Sequence, residues 1–112
     1  MNVLEKAQGH YKSICSKERL EIHIPEWDST VYVRPEFNLQ SQGEIAELAN
    51  NDKLAEAMVM TLILRLVDGE GKPVFKKIEK TELLRTVDAS VITRIVGEIN
   101  KFDPTEEDIS GN

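Results

Sequence analysis

Cysteine is nearly missing from these 112 residues: Cys15 stands alone, so no intramolecular disulfide can form and no oxidising compartment is implied. Aromatic residues are scarce too, with one Trp, two Tyr and three Phe, so the core has to be largely aliphatic. Long apolar runs are also lacking. The longest, Ala57 to Leu64, falls far short of the ~20 residues that a bilayer span needs, and no membrane partner is expected. Met1 to Ser16 has neither an apolar central region nor a small-residue cleavage site, so it does not read as a signal peptide, and a cytoplasmic location is expected. An excess of positive charge is absent as well. The fullest basic cluster, Lys72, Lys76, Lys77 and Lys80, is interleaved with Glu70, Glu79 and Glu82. Phosphate binding draws on clustered cations that release counterions, so nucleic acid is not expected as a partner.

What the chain does have is an ordinary folded composition, 40% hydrophobic and 30% charged. Its fourteen basic and twenty acidic side chains give a formal charge of -6. The acidity is concentrated at one end, where Asp103, Glu106, Glu107 and Asp108 occur without a basic residue. A single domain over residues 1–102 is expected, followed by a disordered acidic tail over 103–112.

Val3, Leu4, Ala7, Tyr11, Ile14 and Cys15 recur at steps of three and four, which predicts an amphipathic first helix. Gly9 weakens its middle by up to ~1 kcal/mol, so this helix calls for a partner surface. At Leu20 the period changes to two. Leu20, Ile22 and Ile24 alternate with Glu21 and His23 before Pro25, and the β-branched and aromatic run from Thr30 to Arg34 follows the polar turn Glu26 to Ser29. Together these predict a β-hairpin. A short helical segment around Glu44 to Ala49 comes next, then a break at Asn50, Asn51 and Asp52, which offer N-cap side chains. Lys53 to Val67 predicts a helix so apolar on every side that it must be central, or covered on its second face by another subunit. Asp68 to Lys72 predicts a tight turn and Pro73 to Phe75 an extended piece. A short helix from Thr81 to Thr86 and a last helix capped by Asp88 follow, the latter with the stripe Val91, Ile92, Ile95, Val96, Ile99 and Phe102. The fold class is α+β, mostly helical, with a small N-terminal β-hairpin packed on about four helices.

Chemistry is hard to find. His10, His23 and Cys15 match no zinc spacing and have no fourth ligand. Asp68, Glu70 and Glu79 fall at positions one, three and twelve of a calcium loop, but Lys72 replaces a required ligand and Pro73 stands where a sharp turn is needed. Gly69 to Lys72 lacks the glycine spacing and the following Ser or Thr of a phosphate loop. Neither a catalytic residue, a metal nor a cofactor is expected, and the chain reads as a protein that binds other proteins. Four residues are candidate partner contacts: Trp27, Tyr32, Met58 and Met60. Trp27 is ordinary core if folded back over the hairpin, the favoured reading, and a binding anchor if exposed. Met58 and Met60 suit either gap-filling in the core or an adaptable partner surface.

At the hairpin the residues take on a specific resemblance. Lys17-Glu18-Arg19-Leu20, Ile24-Pro25-Glu26-Trp27 and Val31-Tyr32-Val33-Arg34-Pro35 resemble the opening of the small tail assembly chaperones of long-tailed (siphovirus-type) bacteriophages and prophages. The run from Leu66 to Phe75 is similar to the D-x-x-G-x-x-x-F turn that follows an apolar helix in that family, and the closing helix through Ile99-Asn100 is similar as well. The one departure is the Trp27 to Thr30 turn, which lacks an expected glycine. The resemblance spans roughly residues 1–102. It implies a chaperone that binds the tape measure protein, helps recruit tail tube protein subunits around it, works in the host cytoplasm, tends to homo-oligomerise and is absent from the finished virion. The second reading is a minor structural tail or head-tail joining protein.

Overall fold

The computed structural model describes residues 2–103; residues 104–112, where most of the acidic tail was expected, lie outside them. Five α-helices and three β-strands are present among the described residues, an α+β architecture that is mostly helical. The helices are α1 (Val3–Cys15), α2 (Leu39–Asn50), α3 (Leu54–Arg65), α4 (Lys80–Thr86) and α5 (Ala89–Phe102). The strands are β1 (Leu20–Ile24), β2 (Ser29–Val33) and β3 (Leu66–Val67).

The hairpin forms where the alternation placed it, with Leu20 opposite Val33, Ile22 opposite Val31 and Ile24 opposite Ser29. Ile22, Ile24, Val31 and Val33 are buried on one face, while Glu21 and His23 face solvent. The missing glycine is replaced by Asp28. A single 3-10 turn at Pro25–Trp27 is followed by Asp28 at φ 46, ψ 46, a left-handed conformation that Asp tolerates better than most residues.

The hairpin is extended by a third strand that the sequence reading placed inside a helix. The helix expected over Lys53 to Val67 ends at Arg65, and Leu66 and Val67 pair antiparallel with Val33 and Tyr32. Both residues are buried. Pairing with β2 satisfies their backbone in a way that another half-turn of helix would not match, so tertiary pairing overrides local pattern here. At the other end Lys53 occupies the N-cap position without a side-chain bond. Asn50 to Asp52 serve instead to close α2, with Asp52 at φ 59. α2 is twice the length expected for it, because Asn38 caps it early by accepting from the Ser41 N–H at 2.8 Å.

α3 is the central helix, the first of the two readings its all-round hydrophobicity allowed. Ala57, Val59, Met60, Thr61, Leu62, Ile63 and Arg65 are all buried, with α2, α4 and α5 packed around it. α5 lays Val91, Ile92, Ile95 and Ile99 into the same core, and Val96 and Phe102 pack at its margin. Asp88 does sit at the N-cap of α5, but its side chain accepts from the Ser90 hydroxyl rather than from a backbone N–H. Glycine is required at Gly71: its φ is +87, and a Cβ there would lie 2.6 Å from Arg19 Nη2. α1, in contrast, has no buried residue at all.

Candidate functional site

Three features of the surface come from how these elements meet. The first is α1 itself. Asn2 caps it by accepting from the Glu5 N–H at 2.8 Å, so the helix is properly started, yet among the described residues its apolar stripe finds little cover. Val3 is 80% and Leu4 65% exposed, and Tyr11 also faces solvent. Only Ile14 is half-buried. It shares a cavity of about 410 Å³ with His10, Tyr11, Pro35, Phe37, Gln42 and Asp103.

The second is an apolar groove of about 110 Å³ between α3, α4 and α5, lined by Ala55, Met58, Val59, Leu83, Leu84 and Ile92 among others. Met58 contributes to it from α3. Met60, two residues on, is buried on another side of the helix and does not line the groove. Tyr32 is half-buried on β2, where its hydroxyl donates to Glu21 Oε1 at 3.4 Å and its ring packs against Gly69. Trp27 is half-buried and meets Phe75 edge-on, ring centroids 6.0 Å apart at 88°, an arrangement that favours the positive ring edge against a π face. It packs on the core, as the favoured reading had it. The four residues singled out in the sequence therefore do not converge on one patch.

The third feature was not anticipated. Arg65, at 1% exposed, is buried at the end of α3. Its two terminal nitrogens donate to Asp103 at 2.7 and 2.8 Å, and Nη2 also donates to the Arg34 carbonyl at 3.0 Å. The guanidinium stacks 4.3 Å over the Phe37 ring. A buried charge survives only when paired and hydrogen-bonded, and this arrangement supplies both. Asp103, grouped with the acidic tail by the sequence reading, is thus bound to the folded body. The available signal was an arginine in the middle of the apolar run from Leu62 to Val67, which demands a distant carboxylate. A second ion pair joins the hairpin turn to α5: Arg94 donates to both oxygens of Glu26, each at 2.7 Å. That bidentate bond holds the Glu26 carboxyl down at about 2.

His23 Nδ1 lies 3.1 Å from Thr30 Oγ1 across the hairpin. The Cys15 thiol is pushed up, first by desolvation and then by the neighbouring Glu36 carboxylate, which disfavours a reactive thiolate. Asp68 Oδ1 accepts from the N–H groups of Glu70 at 2.8 Å and Lys72 at 3.0 Å, so the loop that superficially resembled a calcium site folds as a side-chain-closed turn, and these bonds lower its pKa. Among the described residues no group of three His, Cys, Asp or Glu side chains is placed to hold a metal ion. No helix among them is long and apolar enough to cross a membrane.

No protein-family model matches the chain, and no curated protein matches it by sequence. Among solved structures, one with a similar fold is the tail assembly chaperone of bacteriophage HK97, with a TM-score of 0.64 at 20% identity, covering 88% of this chain and 97% of the other.

Proposed function

We propose that this chain is a tail assembly chaperone of a long-tailed phage or prophage, acting in the bacterial cytoplasm. It binds the tape measure protein, helps recruit tail tube subunits and is absent from the finished virion. The observation that carries this reading is the shared fold with the HK97 chaperone over nearly the full length of both chains. The ordered motifs from Ile24-Pro25-Glu26-Trp27 through Asp68-Gly69 and Phe75 support it independently. The two apolar surfaces, the α1 stripe and the groove beside Met58, are what a protein-binding helper needs, and they are assigned here to client binding and self-association.

Co-expression with the neighbouring tape measure protein tests the reading. The expected result is a soluble complex that co-purifies, with the chaperone undetected by mass spectrometry of purified particles. Stoichiometric presence in the particle would instead favour a minor tail or head-tail joining protein, and failure to associate with the tape measure protein would sink the chaperone reading.

A further inference from the structure

The strand order β1-β2-β3 leaves β1 on an edge of the sheet. Register then tells which of its backbone groups are free. The Arg34 N–H donates to the Arg65 carbonyl at 3.1 Å, and Tyr32 pairs with Val67 two residues along each chain. The backbone groups of Tyr32 and Arg34 therefore point to β3, and those of Val31 and Val33 point to β1. Their partners Ile22 and Leu20 turn N–H and C=O inward, which leaves Glu21 and His23 with theirs turned outward. Among the described residues, neither makes a backbone bond beyond the sheet. Leu20–Ile24 carries no proline, bulge or lysine to block this edge, its only formal charge being Glu21.

A groove of about 280 Å³ follows this edge, lined by Glu21, Ile22 and His23 from β1 and by Arg94, Ile95 and Glu98 from α5. Ile22 and Ile95 are buried and form an apolar floor. The rim is negative. Arg94 is engaged by Glu26 and also lies near Glu98; among the described residues Glu98 further meets Lys101 at 3.6 Å, and Glu21 accepts from the Tyr32 hydroxyl.

We propose that the free edge of β1 and this groove bind an extended, basic segment of a partner protein as an added strand. A free edge supplies main-chain hydrogen bonds, and every second side chain of the added strand enters the groove. There a lysine or arginine meets Glu98 above Ile95. The acidic residues 104–112 of this chain carry the wrong charge for the site. The inference is independent of the chaperone reading, since it asks only for a strand of stated charge.

The test is a titration of the isotope-labelled full chain with three synthetic hexapeptides, followed by nuclear magnetic resonance. One alternates lysine and valine, one alternates glutamate and valine, and the third is the lysine peptide N-methylated at alternate residues. The expected result is saturable binding of the lysine peptide, with slowed amide exchange at Glu21 and His23 and shifts at Arg94 to Glu98. The glutamate and N-methylated peptides should not bind. His23→Pro removes an outward N–H while leaving the β2 ladder intact, and should abolish binding. Glu98→Gln, on the surface of a helix, keeps the test open if that variant does not fold, and should weaken binding about two- to fivefold. Equal binding of the glutamate peptide, or shifts elsewhere on the molecule, would overturn the proposal. So would protection of Glu21 and His23 that depends on protein concentration without peptide, which would assign the edge to a second copy.

Discussion

α1 and α5 are written in the same code and end in opposite places. Each carries an apolar stripe at steps of three and four: Val3, Leu4, Ala7, Tyr11 and Ile14 in one, Val91, Ile92, Ile95 and Ile99 in the other. In α5 those four residues are buried, and in α1 not one residue is. Periodicity specifies which face of a helix avoids water, but not whether this chain supplies the cover. The difference teaches that α5 is held by the fold, whereas the described residues leave the apolar face of α1 uncovered.

Truncating the two stripes should separate them sharply. Ile95→Ala removes a fully buried side chain and is expected to cost about 2–5 kcal/mol, read as a fall in the urea midpoint. Asp103→Ala leaves the buried Arg65 charge without its carboxylate. Removal of one partner from a buried pair costs ~3–5 kcal/mol, and the low end applies because Asp103 itself is 26% exposed. Gly71→Ala comes next, at about 1–2 kcal/mol, the price of a side chain in a left-handed conformation; Arg19, whose guanidinium end is the crowding group, can swing aside.

The Glu26–Arg94 pair is a smaller effect, and it reads out in pH. The folded pKa of Glu26 lies near 2, below its ordinary 4.5, so its contribution is fully present above about pH 4.5 and lost as pH falls towards 2. Both side chains are roughly half-exposed, so screening keeps the effect modest. Glu26→Gln should flatten the acid limb of a stability-against-pH curve measured between those limits. Smallest of all, Leu4→Ala in α1 should move stability by less than ~0.5 kcal/mol, because its side chain is 65% exposed. A loss of several kcal/mol there would erase the contrast between the helices.

Local pattern made much of this fold legible. Strict alternation located β1, a β-branched and aromatic run located β2, and the absence of a polar face in the Met58 to Leu64 stretch pointed to the central helix. What stayed hidden depends on residues far apart in the chain. Leu66 and Val67 look like the continuation of a helix until β2 is there to pair with them. Arg65 and Asp103 meet across 38 positions, and Glu26 and Arg94 across 68, separations at which no spacing rule applies. The candidate contacts suffered in the same way: Met58 and Met60 look equivalent in sequence, but two residues of helix put Met58 on a groove and Met60 in the interior.

Hydrogen exchange of α1 against α5, in the free chain and in complex with the tape measure protein, tests the central claim most directly. The expected result is rapid exchange along α1 and slow exchange along α5 in the free chain, with α1 becoming protected when the client is bound. Exchange in α1 as slow as in α5 before any partner is added, or unchanged after binding, would contradict the claim that this helix is held in reserve for another protein.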